Sequence, residues 1–250
     1  MRHLVLSDIH ANAVALEAVL GHAERRRWDR VIFLGDLVGY HSQPETVTRR
    51  LRELAPEAAI LGNHDAILLG LTADSGLEPR SLVERLVARH LGELSEASLD
   101  YIRSFSLHVK GDAWEAAHGA LREPFEYLSG LPQAQANLPF LSTPLCFVGH
   151  THVPAAFVCA ETQRGPLWRS VPFRREENLY RLPPEVKVFF NPGSVGQPRD
   201  GLALASYGVF DEDNGALEVY RVRFDIARVQ RELRREGYPE ALAARLAKGR

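Results

Sequence analysis

His3-Leu4-Val5-Leu6-Ser7-Asp8-Ile9-His10 is a short apolar run that ends in polar residues able to do chemistry. The run is too short for a helix and reads as a buried strand. Two later stretches repeat the plan. Val31-Ile32-Phe33-Leu34 runs into Gly35-Asp36, and Ala58-Ala59-Ile60-Leu61 runs into Gly62-Asn63-His64-Asp65. Helical spacing fills the gaps between them. Asn12 is placed to cap a helix carrying Leu16, Val19, Leu20 and Ala23, and a second helix covers about Glu45 to Leu54. Strand and helix in alternation imply βαβ units and a largely parallel sheet.

The remaining chain is read more coarsely. Pro79 to Phe105 is helical, with Leu94 and Leu99 as a hydrophobic staple around Ser95. The second half is strand-rich. Its candidates are Trp114 to Ala117, Leu145 to Val148, Ala155 to Val158, Leu167 to Val171, Val186 to Phe190, Ala205 to Phe210 and Leu217 to Val222. Asp213-Asn214-Gly215 signals a hairpin turn. Ile226 to Ala247 is an Arg-rich helix whose charges alternate with Glu232, Glu236 and Glu240, as on a solvated face. Roughly ten strands exceed what one twisted sheet carries comfortably. Two stacked sheets with helices on both outer faces are expected, in an α/β fold. No repeat, linker or low-complexity tract divides residues 1–250, so one domain is expected.

Composition narrows the function. Among 250 residues, 45% are hydrophobic and 25% charged, the balance of a soluble globule. No run of about 18 apolar residues suggests a membrane span. Met1-Arg2-His3 followed by Leu4-Val5-Leu6 is too short for a signal-peptide core. The net charge of −2 does not indicate a nucleic-acid surface built on many phosphate contacts. Cys146 and Cys159 lie in apolar stretches and read as buried free thiols of a cytoplasmic protein.

Histidine placement is the informative feature. His118-Gly119 follows the strand at Trp114, and Gly149-His150-Thr151-His152 follows the strand at Leu145. Five strand ends therefore carry carboxylate, carboxamide or imidazole groups. In open α/β sheets that edge binds ligands. One such residue is usually a turn former; five in succession are a site. Asp8 and His10, two residues apart at an extended strand end, point the same way and can hold one ion. A slight curl of the His150-Thr151-His152 loop turns its two imidazoles towards adjacent ions. Asp36 can bridge two cations, since a carboxylate offers about four lone-pair sites. Nitrogen and oxygen donors without thiolate suit Mn, Fe, Ni or Zn. Glycines before Asp36, Asn63 and His150 fit tight turns and close backbone approach.

The series Asp-x-His, Gly-Asp, Gly-Asn-His-Asp, His, Gly-His-Thr-His, covering residues 8 to 152, resembles the calcineurin-like metallophosphoesterase family. The segment Asn191 to Asp200 is similar to a signature of its small bacterial phosphodiesterase-type subgroup. The resemblance implies a four-layer αββα sandwich, two mixed sheets flanked by helices. It implies two divalent transition-metal ions, manganese before iron, nickel or zinc. Asp8, His10 and His152 are then expected to hold one ion, Asn63, His118 and His150 the other, with Asp36 bridging. His64 is expected to face the scissile phosphate rather than a metal. One departure stands out: His41-Ser42 replaces the Gly-Pro that often follows in related proteins. His41 either touches substrate at the metal rim or lies exposed, and exposure is the expectation.

The implied activity is hydrolysis of phosphodiesters or small phosphorylated metabolites. Two cations clamp the phosphate, and a hydroxide bridging them attacks in line. His64, held by Asp65 or a backbone carbonyl, stabilises or protonates the leaving oxygen. Asp65 alternatively only supports its turn. Asn12 is either a helix cap or part of an anion site at a helix start. Arg199 either grips a substrate phosphate or makes a surface salt bridge. A protein phosphatase or a dinucleoside-polyphosphate hydrolase is the alternative within enzymes. A non-catalytic binding scaffold of the same fold is the alternative outside them, disfavoured by the presence of His64. The expected partner is a small phosphorylated substrate, with no membrane. Pocket walls are expected from Leu68 to His90 and Pro124 to Pro144.

Overall fold

Side-chain alternation along the strands sorts the hydrophobic residues into layers. The computed structural model describes residues 1–72 and 81–250. The N-terminal part of the stretch read as helical from Pro79, and part of the pocket wall expected between Leu68 and His90, lie outside the described residues. Among the described residues, twelve strands form two six-stranded sheets. The first has the order β3 (Ala58–Ala59), β2 (Arg30–Phe33), β1 (Arg2–Leu6), β11 (Ala205–Asp211), β12 (Ala216–Val222), β9 (Glu177–Arg181). The second has the order β4 (His108–Lys110), β5 (Trp114–Ala117), β6 (Leu145–Phe147), β10 (Val186–Asn191), β7 (Ala155–Thr162), β8 (Gly165–Pro172).

The sheets are mixed, as the resemblance implies, and the parallel pairing read from the strand–helix alternation of the first third holds for β1, β2 and β3. β1–β2, β2–β3, β5–β6 and β6–β10 pair in parallel. The other named pairings are antiparallel. Short connections explain the difference. β7–β8 and β11–β12 are joined by loops of a few residues, which only antiparallel neighbours accept.

Successive residues of one strand face opposite layers. Leu4 and Leu6 join Val31 and Phe33 under the helices α1 (Ala13–Ala23), α2 (Pro44–Leu54), α4 (Leu82–Glu93) and α5 (Glu96–Arg103). Val5, Ile32 and Leu34 point the other way and meet Trp114, Phe147 and Phe190 between the sheets. Cys146, Val148 and Phe189 line the far face of the second sheet, beneath α6 (Leu131–Asn137). Helix, sheet, sheet and helix are thus four layers with three buried seams. Phe33, Phe147, Phe189 and Phe190 are fully buried. Truncating any one to alanine costs about 3–5 kcal/mol. Both cysteines are buried and free.

The tail is two helices, α7 (Ile226–Arg235) and α8 (Glu240–Leu246), rather than one solvated helix. Val229, Leu233, Leu242 and Leu246 bury an apolar stripe against Tyr40 and Leu86. That docking carries the C-terminal residues to the edge where the histidines gather. Ser95 caps α5 by accepting from the Ser98 amide, as the staple around it implies. α6 and the strands β4 and β9 carry no clear periodic signal in the sequence; both strands lie at sheet edges.

Candidate metal centre

Strand β1 ends at Leu6, and the backbone then bends. Asp8 (φ 54°) and His10 (φ 50°) lie in the left-handed region, as do Asp36, His150 and His152. Such conformations cost non-glycine residues of the order of 1–3 kcal/mol each and cluster at functional sites. Asp8 and His10 converge for this reason, and not because an extended strand end points them alike. Main-chain bonds fix the bends: the Asp8 amide donates to the Gly35 carbonyl (2.9 Å) and the His10 amide to the Asp36 carbonyl (3.0 Å).

Glycine is required where these turns meet. A Cβ on Gly62 would lie 2.1 Å from both the amide nitrogen and Oδ1 of Asp36. A Cβ on Gly149 would lie 2.0 Å from Ser7 Oγ.

Two groups of donors share Asp36. Asp8, His10, Asp36 and His152 offer atoms within 4.8 Å of one another, and so do Asp36, His118 and His150. His10 Nε2 lies 3.6 Å and His118 Nε2 3.5 Å from Asp36 Oδ2. Asn63, at the start of α3 (Asn63–Leu68), brings its Oδ1 to 3.2 Å from His118 Nε2. His118 Nε2 is also 3.1 Å from His150 Nδ1. All seven residues but Asn63, which is partly buried, are buried.

Backbone carbonyls settle which imidazole nitrogen faces the centre. His10 Nδ1 donates to Val38 O (2.9 Å), His118 Nδ1 to Leu34 O (2.7 Å) and His152 Nδ1 to Gln197 O. Each Nε2 then presents a lone pair inward. Two of these, on His10 and His152, face each other at 3.2 Å with no proton between them in the neutral tautomers. Asp8 Oδ2 accepts from Ser7 Oγ and the His150 amide, while buried Oδ1 has no hydrogen-bond partner. It sits 3.2 Å from His152 Nε2. Lone pairs and carboxylate oxygens converging in a buried space fit a cation, and the donor set fits a divalent transition metal.

The charge balance agrees. Burial alone would raise the Asp36 carboxyl, but His118 and His64 hold it well below its usual range. Burial lowers His118, yet the Asp36 charge overcomes this and raises it to about 9. A bound cation displaces such a proton, because metal ligands must be deprotonated. Burial pushes His150 down to about 3 and His64 down to about 4.

His64 is not among either donor group. Its Nε2 is 3.9 Å from Asp36 Oδ2, and its Nδ1 is buried without a partner. Asp65 does not hold it. That carboxylate accepts from the amides of Asp36 (2.9 Å), Leu37 (3.0 Å), Val38 (3.2 Å) and Gly62 (3.1 Å). It therefore shapes the loop that presents Asp36. Burial and the Asp36 charge push it up to about 7, against those amides.

The residues expected to touch substrate divide. Asn12 is buried, caps α1 through the Ala15 amide (3.0 Å) and donates to Gly196 O (2.9 Å), so both ends of its carboxamide are used. His41 is buried rather than exposed, and its Nδ1 donates to His10 O (2.8 Å). It supports the metal loop from behind. Arg199 does reach the rim: its Nη2 donates to Tyr40 Oη (3.0 Å). Sequence reasoning passed over three further residues. The Tyr40 ring packs 4.5 Å from His10 and 4.7 Å from His64. Tyr127 stacks on His150 at 3.8 Å. Arg245, from the supposedly solvated tail, lies 5.1 Å over the Tyr40 ring and donates to Arg250 O (2.8 Å). Only the Tyr40 position carried a local signal, four residues after Asp36.

A four-layer sandwich with histidine and aspartate donors gathered at its strand ends is an architecture this chain shares with a solved metallophosphoesterase. Residues 1–215 match the model of the calcineurin-like phosphoesterase superfamily domain, and the chain belongs to that superfamily. A metallophosphoesterase of Sphaerobacter thermophilus is 36% identical with a TM-score of 0.85, covering 100% of this chain and 99% of its own. An uncharacterized protein of Methanocaldococcus jannaschii is 34% identical over 252 residues, covering 98% of this chain and 97% of its own. A hypothetical protein of Pyrococcus horikoshii shares the fold, with a TM-score of 0.78 at 18% identity over 100% of this chain and 98% of its own.

Proposed function

We propose that this protein hydrolyses phosphodiesters or small phosphorylated metabolites with two divalent cations held at the shared carboxylate. The observation that carries the reading is the convergence of the His10, His118 and His152 lone pairs on Asp8 and Asp36, with each tautomer set by a backbone carbonyl. Asp8, His10 and His152 would hold one ion, and Asn63, His118 and His150 the other. Asp36 would belong to both. Manganese is the expected metal, and iron, nickel or zinc suit the same donors. Such ions supply Lewis acidity towards phosphoryl oxygens and lower the pKa of coordinated water.

The side chains around the ions do the rest. His64 donates to the leaving oxygen, and no protein group occupies its Nδ1. Tyr40 packs on His10 and His64 and fixes the angle between them. The Arg199 guanidinium binds the non-bridging oxygens of the phosphate. Arg245 is engaged with the main chain at Arg250, whereas Arg199 reaches the rim with its Nε unpaired. One guanidinium matches the single charge of a diester, and a diester is the expected substrate. Its working compartment is taken as the cytoplasm.

The test is a substrate panel on metal-loaded protein: bis-p-nitrophenyl phosphate, p-nitrophenyl phosphate, cyclic nucleotides, dinucleoside polyphosphates and a phosphopeptide. Turnover that needs added divalent metal supports the reading. No turnover of any member with Mn, Fe, Ni or Zn refutes it.

A further inference from the structure

A cavity of about 620 Å³ opens beside the candidate centre, on the outer face of the second sheet. It falls in the range of about 300–1,000 Å³ that accepts a compact organic ligand. Two of its walls are continuous with the centre. Tyr127 stacks on His150, and Ser129, Gly130 and Leu131 follow into the cavity wall. Val153 and Pro154 succeed His152 directly and also line the cavity. Arg199 belongs to both places. Its amide donates to the His152 carbonyl (3.3 Å), its guanidinium reaches Tyr40, and the residue lines the cavity.

The lining has a definite chemistry. Leu131, Val153, Phe157 and Phe173 supply apolar wall. Arg174 and Arg199 supply positive charge, while Asp200 is taken up by an ion pair with Arg221. An apolar chamber with a cation at the boundary of a phosphate site suits one kind of group. We infer that this cavity receives the organic arm of the substrate ester, an apolar group of aromatic size, with Arg199 gripping the phosphate where the arm leaves it. The inference rests on the phosphoesterase reading and adds to it a substrate class: diesters with one bulky, flat arm, in preference to small alkyl esters.

Binding and turnover separate the two ideas. Naphthalene-1-sulfonate and methanesulfonate are non-hydrolysable monoanions that differ only in the arm. Calorimetry should find naphthalene-1-sulfonate at least about tenfold tighter, from the apolar area it buries. Ser170, exposed on the edge strand β8, lines the cavity beside its cross-strand partner Phe157. Strands accept tryptophan well, so Ser170→Trp fills the chamber without unfolding it, and the preference should shrink to about twofold. Ser129→Trp repeats the test from the loop wall. With metal present, 1-naphthyl p-nitrophenyl phosphate should exceed methyl p-nitrophenyl phosphate in kcat/KM, and Ser170→Trp should collapse that ratio too. Equal binding of the two sulfonates, or a preference that survives both variants, overturns the inference. Discrimination between sulfonates without turnover of either ester leaves the cavity standing as an aryl-anion site and refutes the phosphoesterase reading instead.

Discussion

Replacing Asp65 with asparagine tests whether the loop around Asp36 is held by one buried carboxylate. Its two oxygens accept from four backbone amides, those of Asp36, Leu37, Val38 and Gly62. Asparagine keeps the shape and one acceptor oxygen. With its NH2 at the Oδ2 position, it faces the amides of Asp36 and Gly62, which have no other acceptor among the described residues. Leaving two buried amide donors unpaired, at about 1–3 kcal/mol each, costs about 2–6 kcal/mol. With a urea slope of about 3 kcal/mol/M, the unfolding midpoint should fall by about 0.7–2 M. Metal affinity should fall with it, because the same amides set the backbone of Asp36. The measurement is urea unfolding followed by circular dichroism, beside a metal titration. A midpoint shift under about 0.3 M with unchanged slope would refute the reasoning. A defect confined to turnover would return Asp65 to orienting His64.

Further outcomes are expected. His64→Ala should retain both metals by elemental analysis and lose about 10²–10⁴ in kcat, less with a p-nitrophenolate leaving group that scarcely needs a proton; loss of a metal would place His64 among the ligands. Asp36→Asn should weaken both ion sites, and Asn63→Ala chiefly the second; a ceiling of one ion per chain under saturating manganese would contradict the bridging role. Gly62→Ala should fail to assemble the centre, since its Cβ meets backbone at 2.1 Å, and a melting temperature equal to the parent would show that the loop yields. Hydrolysis of bis-p-nitrophenyl phosphate should exceed that of p-nitrophenyl phosphate. A tenfold preference for the monoester, about 1.4 kcal/mol, would mean Arg245 leaves Arg250 to join Arg199.

Residue type at strand ends made the donors legible. Asp8, Asp36, His118 and His150 each follow an apolar run, and runs of that kind form strands wherever they are buried. The caps at Asn12 and Ser95 were legible too, since both follow from local hydrogen bonding. What settles the imidazole tautomers was not. Val38, Leu34 and Gln197 act through carbonyl oxygens, which any residue supplies. The left-handed backbone at Asp8 and His10 was equally hidden, because it is imposed by bonds to Gly35 and Asp36 far along the chain. Arg245 looked like one more solvated charge until the packing of α8 placed it over Tyr40. β4 and β9 escaped notice for a related reason: short edge strands bury few side chains and carry little pattern.

The bonds around Asp8 also dictate an order of assembly. The Ser7 and Asp8 carbonyls accept from the amides of Val195 and Gly196, and Asp8 Oδ2 accepts from His150, 142 residues away. On the ribosome, at about 5–20 residues per second, on the order of 10–30 s pass between the emergence of Asp36 and that of Gly196. Until His118, His150 and His152 follow, the nascent chain presents carboxylates and His10 without the imidazoles that complete either cluster. Completion of the donor clusters is therefore a late event in biosynthesis, gated by closure of contacts distant in sequence, which form slowly. A chain truncated before Val195 keeps every candidate ligand and still lacks the loop that clasps Asp8.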